Sequence, residues 1–168
     1  MTANGPRIDS GEVLPPTCKI LRISGEPVSQ PRQRHAMIAG HIRNYTPAKA
    51  PVQDYKSAIR FEAAKVFPGT PTVGPVKLLL TFVFSRPKAH YRTGRYADEM
   101  RSDAPEWHTH KPDIENCAKA VLDALTGIVY RDDSQVCSLH ITKRYHSAGD
   151  QAVTWIEIET PLTNYETL

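Results

Sequence analysis

The stretch from Asp113 to Leu125 constrains the fold more than any other part of the chain. Ile114, Cys117, Ala118, Val121, Leu122 and Leu125 fall at i, i+3, i+4, i+7, i+8 and i+11, which lines one side of a helix with apolar side chains. A helix striped in this way must lie against a sheet or another helix. Asp113 follows a proline and precedes Asn116 by three, a good N-cap position, and Gly127 supplies the stop. A second helix is predicted over Val52 to Phe67, where Val52, Tyr55, Ile59, Ala63 and Val66 recur before Pro68-Gly69 ends the run. Val76, Leu78, Leu80, Phe82 and Phe84 alternate as one face of a strand. Further strands are predicted at Cys18–Ser24, Val136–Tyr145 and Ala152–Thr160, the last two joined as a hairpin through residues 147–151. A short hairpin turning near Gly40 is predicted over residues 35–45. Together these give an α+β domain, a small mixed or antiparallel sheet packed against two helices.

At 168 residues the chain fits one domain, read as residues 17–160, with flexible tails at 1–16 and 161–168. Arg86 to His110 reads as a loop of 25 residues, longer than the ~12–15 at which an unstructured connection becomes unusual, and so functional or mobile. The longest apolar stretch, Val76 to Phe84, is broken by Lys77 and Thr81 and is far shorter than a membrane span. The first residues lack the charged-then-apolar pattern of an export signal. Three cysteines, an odd number without a close pair, fit a reducing cytoplasm better than a disulfide framework.

Net charge is only +3, but its distribution is uneven. Residues 1–60 hold nine Lys/Arg against four Asp/Glu, and residues 102–133 hold three against seven. A basic part beside an acidic part suits an anionic ligand held next to a carboxylate site. The polar side of the second helix carries Asp113, Glu115, Asn116, Lys119 and Asp123, and Asp132 and Asp133 follow it. That helix is roughly 20 Å long at 1.5 Å per residue. The seven residues from Gly127 to Asp133 reach roughly 23 Å when extended. The chain can therefore run back beside the helix and bring Asp133 near Asp113 and Glu115. Two like charges 4 Å apart at an effective dielectric of 20 repel by about 4 kcal/mol, and a hard divalent cation such as Mg²⁺ is the usual offset. Such an ion activates water and stabilises the leaving oxygen of a phosphodiester, and Lys119 would neutralise charge developing at phosphorus. Spacing alone favours a plainer arrangement, a solvated Glu115–Lys119–Asp123 ladder with Asp132-Asp133 as a turn.

The run Lys111-Pro-Asp-Ile-Glu-Asn-Cys-Ala-Lys-Ala-Val-Leu-Asp-Ala-Leu-Thr-Gly-Ile-Val-Tyr-Arg-Asp-Asp-Ser-Gln-Val136 resembles the RusA family of Holliday-junction resolvases. That family carries Pro-Asp-x-Asp-Asn, a Lys three residues after the Asn, Leu-Asp-Ala-Leu and Asp-Asp-x-Gln-Val. Looser similarity lies in Arg43-Asn-Tyr45-Thr-Pro47 and in Arg86-Pro-Lys-Ala-His-Tyr91. The resemblance implies that Asp113, Glu115 and Asp133 bind metal and that Lys119 is catalytic. Asn116, Asp123 and Asp132 would stand in a supporting shell. One departure is Glu115, one methylene longer than the Asp usual there. The resemblance also implies Mg²⁺, with Mn²⁺ able to substitute, a homodimer that nicks two opposed strands, a RusA-like subunit and a phage or prophage recombination context.

Arg32, Arg34, Arg43 and Lys49 lie in a stretch free of acids, and with Lys88, Arg92, Arg95 and Lys111 are read as contacts to DNA phosphates. Tyr91 and Tyr96 on the long loop would stack on unpaired bases or tether the loop. His108 and His110 with Cys117 lack a fourth ligand for zinc, and the histidines would instead meet phosphate when protonated. Trp155 reads as core, and Lys143/Arg144 as cross-strand partners of Glu157/Glu159. The chain is thus expected to resolve four-way DNA junctions by direct hydrolysis. The competing readings are a non-catalytic protein that binds branched DNA, and a metal-dependent nuclease for other branched DNA.

Overall fold

The computed structural model describes residues 14–31, 34–38, 41–45 and 51–162. In chain order the elements are β1 (Leu14–Ser24), β2 (Arg34–Ile38), β3 (His41–Tyr45), α1 (Pro51–Val66), β4 (Val76–Phe84), α2 (Ile114–Leu125), β5 (Val136–Tyr145) and β6 (Val153–Leu162). The main sheet runs β1-β6-β4-β5, with β5 parallel to β4 and the other pairs antiparallel. β2 and β3 pair separately as the short hairpin, in register from Arg34 with Tyr45 to Ile38 with His41. Its turn at residues 39–40 lies outside the described residues. The fold is the expected α+β one. β1 begins at Leu14, inside the segment read as a tail, and β6 continues to Leu162.

Both helical stripes lie where their spacing put them. Val52, Tyr55, Ile59 and Ala63 of α1 and Cys117, Ala118, Val121 and Leu125 of α2 share one core with the inward face of the sheet. That face supplies Leu21, Ile23, Leu78, Leu80, Phe82, Ile156 and Ile158. Two polar contacts are built into it. The Tyr55 and Thr154 hydroxyls share a 2.6 Å hydrogen bond, and the Lys56 ammonium meets the Asp123 carboxylate at 2.8 Å. Lys56 is only 8 % exposed and Asp123 35 %, so removing the cation leaves a carboxylate that can still turn to water. Lys56→Met is therefore expected to cost about 1–3 kcal/mol, the scale of one charged hydrogen bond. A calorimetric melt should show a fall of about 2–4 °C per kcal/mol.

The predicted β5–β6 hairpin is not formed. A parallel pair needs a crossover, which the long segment and α2 provide between β4 and β5. With β4 on one side of β5, residues 106–108 take the other: Tyr145 N–H donates to Glu106 O (2.9 Å) and His108 N–H to Lys143 O (3.3 Å). β6 therefore crosses to the free side of β4. Lys143 and Arg144 lie beside Phe82 and Val83, not beside Glu157 and Glu159, and Glu159 pairs instead with Lys77 at 3.0 Å. Trp155 is half-buried on the face away from the helices, with the Arg22 guanidinium 5.7 Å from its ring centre, and is not core.

The 86–110 connection is ordered. Arg86 spans it, donating from Nε to His146 O and from Nη1 to Pro105 O, both at 2.7 Å. Among the described residues no helix is long and apolar enough to cross a membrane.

Candidate active site

Asp113 is the N-cap of α2, with extended backbone (φ −70°, ψ 140°), and Glu115 sits in the first turn. Lys143 of β5 fixes the approach to this turn, its ammonium donating to His110 O at 2.6 Å and Pro112 O at 2.7 Å. Asn116 Nδ2 reaches back to Asp113 Oδ2 at a long 3.4 Å. From the other side, Gln30 N–H donates to Asn116 O at 2.8 Å and brings the segment after β1 over the helix end. A groove of about 510 Å³ results, lined by Ser29, Gln30, Pro31, Lys111, Asp113 and Asn116. Gln30 Oε1 is buried there without a hydrogen-bond partner. The helix N-terminus adds partial positive charge beside the two carboxylates.

Asp133 stands at the other end of the same helix. After Leu125 the chain makes a tight turn in which Gly127, at φ +79°, donates to Tyr130 O at 2.7 Å. Tyr130 is fully buried and its hydroxyl donates to Leu122 O at 3.0 Å. Burial, and after it the charges of Asp133 and Asp123, push the Tyr130 hydroxyl pKa up. Gln135 then ties the chain down, Nε2 donating to Thr72 O and Gly74 O at 2.9 Å. Its Oε1 accepts from Arg131 N–H (2.9 Å) and Asp132 N–H (3.0 Å). Asp132 caps this turn by accepting from Ser134 N–H at 2.9 Å, and the Ser134 hydroxyl, followed by that N–H, lowers its pKa, so Asp132 is a turn residue as the plainer reading had it. Asp133 is exposed.

Asp113 and Asp133 therefore lie beyond opposite ends of α2, a helix about 18 Å long at 1.5 Å per residue. The expected return of the chain along the helix does not occur before Asp133, because Tyr130 and Gln135 anchor it at the far end. The return is made by β5. Among the described residues no three His, Cys, Asp or Glu come together to hold a metal ion. Asp113, Glu115 and Asp133 offer hard oxygen donors of the kind Mg²⁺ takes, and among the described residues none of them pairs with a Lys or Arg. Among the described residues, the fold of one chain does not bring these three carboxylates together.

Residues 24–159 match the family Endodeoxyribonuclease RusA. The chain belongs to this family. It is also similar to the uncharacterized protein YqaN of Bacillus subtilis (strain 168), at 31% identity over 128 residues that cover 76% of this chain and 88% of that protein. RusA membership makes this chain one of a family of endodeoxyribonucleases that resolve Holliday junctions, with branched DNA as the partner.

Among the described residues the solvated Glu115–Lys119–Asp123 ladder is not formed. Lys119 is exposed on α2, and Asp123 turns away from it to Lys56. Lys88, Arg92 and Lys111 are exposed, Lys111 on the wall of the groove beside Asp113. Arg32 and Lys49 lie outside the described residues, as do the side chains of Arg34 and Arg43 on β2 and β3. Ser29 and Gln30 were not singled out from the sequence. Their signal, a polar pair after the Gly25-Glu26-Pro27 stop, is too common, and only the fold joins them to Asn116.

The His108 ring is packed among aromatic side chains. It stacks on Phe84 at 4.2 Å and packs on Tyr145 at 4.7 Å, while Cys117 points into the core, its thiol pushed up to about 11 by burial. Burial first, then the Lys143 ammonium, hold the His108 imidazole below its ordinary value. A lowered folded pKa means that the unfolded chain binds the proton more readily, so stability falls as pH drops through about 6.5 and levels off below the folded value. Melting from pH 7.5 to 5 is expected to show this decline, flattened in His108→Phe. An equally steep decline in the variant would assign it to other groups.

Proposed function

We propose that this chain is a Mg²⁺-dependent endodeoxyribonuclease that resolves four-way DNA junctions as a homodimer. The observation that carries the reading is the pair Asp113 and Glu115 on the first turn of α2, beside a polar groove, with the exposed Asp133 at the opposite end of that helix. A separation of that kind suits two subunits packed so that Asp133 of the partner subunit lies by Asp113 and Glu115, which gives two equivalent sites and two nicks. Mg²⁺ bound by these carboxylates and a DNA phosphate would supply a hydrolytic water at neutral pH and neutralise charge at phosphorus.

The chain's own residues do the rest. Lys111 and the basic β2–β3 hairpin hold the backbone of the cut strand by its phosphates. Asn116 and Gln30 wall the groove and keep Asp113 in place. Lys119, one turn beyond Glu115, offsets the charge that builds as the 3′ oxygen departs.

A cleavage assay on synthetic four-way, three-way and linear DNA, with and without Mg²⁺ and in excess EDTA, tests the proposal. Paired nicks in four-way DNA are expected with Mg²⁺ or Mn²⁺ and none in EDTA. Undiminished nicking in EDTA would overturn the metal assignment. Tight binding of four-way DNA without cutting under any of these conditions would favour a binding protein, and equal cutting of three-way DNA a general branched-DNA nuclease.

A further inference from the structure

The 86–110 connection contains a feature that the carboxylate site does not use. Residues 90–101 form a small hairpin, closed by Arg101 N–H to His90 O (3.0 Å) and Arg92 N–H to Glu99 O (2.9 Å), with Tyr91 bridged to Met100. Its tip is the tight turn Gly94–Tyr96, where Gly94 adopts φ +68° and Ala97 N–H returns to Gly94 O at 3.2 Å. No residue of this hairpin is buried, so burial of apolar surface does not explain its order. What it presents is an array of flat groups. The Arg92 guanidinium lies 4.2 Å and that of Arg95 4.7 Å from the Tyr96 ring centre. Tyr91, Arg92, Tyr96 and Arg101 line a shallow groove of about 300 Å³.

The cations of this hairpin divide into two kinds. Arg92 is paired with Glu99 at 2.6 Å and Arg101 with Asp103 at 2.8 Å, both in the open, where such pairs chiefly hold geometry. Arg95 has no carboxylate partner among the described residues. An aromatic ring with two guanidinium groups over it, one of them without a carboxylate partner among the described residues, matches a nucleobase and its phosphate. The same stretch of chain then runs along β5 and delivers Asp113, its last residues clamped by Lys143, so the hairpin and the carboxylates are parts of one anchored segment.

We infer that the 90–101 hairpin is a stacking platform for a base left without a neighbour at the branch point of DNA, with the Tyr96 ring and the Arg92 guanidinium over it as the stacking layer and Arg95 on the adjoining phosphate. This rests on the junction-resolving reading and adds the source of its selectivity. Within a continuous duplex every base is covered on both faces and offers the platform nothing. At a branch the stack is interrupted, a face is free, and the cost of unstacking is least. A platform of this kind prefers branched over linear DNA without reading sequence.

The test uses four-way DNA with 2-aminopurine at the branch point, the full chain, and excess EDTA so that binding is read without cutting. The parent is expected to bind four-way DNA more tightly than linear duplex and to change the 2-aminopurine emission. Tyr96→Phe keeps the aromatic face and should behave as the parent does. Tyr96→Ala should lose the emission change and about tenfold of the four-way preference, the scale of one base–aromatic stack. Its melting temperature should be unchanged, since Tyr96 is outside the core. A selective parent matched in both readouts by Tyr96→Ala overturns this inference alone. A parent that binds four-way and linear DNA alike overturns the resolvase reading and this inference with it.

Discussion

Asp113→Asn and Asp133→Asn are each expected to slow nicking of four-way DNA at least a hundredfold while leaving its binding intact. Either change keeps side-chain size but removes a negative charge and a strong anionic ligand. Loss of one electrostatic contact to a transition state commonly costs ~3–4 kcal/mol, and each ~1.4 kcal/mol is tenfold in rate. Affinity rests on Lys and Arg at phosphates and should hold or rise, because one charge facing DNA has gone. The distance between the two acids makes the pair more informative than either variant alone. If each site takes Asp113 from one subunit and Asp133 from the other, dimers with one copy of each variant contain one intact site and one doubly altered site. Co-expressed Asp113→Asn and Asp133→Asn chains should then recover single-strand nicking that neither shows alone. Sites built within one chain would all be defective in the mixture, and no activity would return. A parental rate in Asp133→Asn would make Asp133 a turn residue like Asp132.

Phe82→Ala is expected to destabilise the fold strongly. Phe82 is fully buried on β4, the strand flanked by both β5 and β6, and belongs to the core shared with α1 and α2. Truncating a buried Phe costs about 3–5 kcal/mol, from lost transfer energy plus the cavity left behind. At about 2–4 °C per kcal/mol the midpoint of thermal unfolding should fall by roughly 6–20 °C. Phe82→Leu refills most of the volume and should recover much of the loss. A drop below 2 °C in Phe82→Ala would mean that the core collapses around the gap.

Local pattern carried far in this chain. The stripes at Val52–Ala63 and Ile114–Leu125 and the alternation at Val76–Phe84 each correspond to an observed element. All three depend only on the match between side-chain period and backbone period. The Asp-Asp-Ser-Gln run had two local meanings, ligand and turn. The structure divides them, because Asp132 N–H and Ser134 N–H need acceptors at a chain reversal and find Gln135 and Asp132 within three residues. Pairing was harder to read. Val136–Tyr145 and Val153–Leu162 look like hairpin arms, since the seven residues between them suit a turn. Which strand each arm joins depends on edges that residues 76–84 and 106–108 occupy, and nothing within the two arms records that.

By itself the sequence determined the two helices, the central strand, the α+β class and, through its motif run, the RusA family. These follow from periodicity and from residues close together in the chain. Only the tertiary structure decided that Gln30 meets Asn116, that Asp123 answers Lys56 rather than Lys119, and that Asp113 and Asp133 stand at opposite ends of α2. The physical reason is the same in each case. Chain length sets how far a segment can reach, whereas the direction it takes is set by what anchors it. Here the anchors are the buried Tyr130 ring and the Gln135 amide on residues 72 and 74, contacts between segments some sixty residues apart.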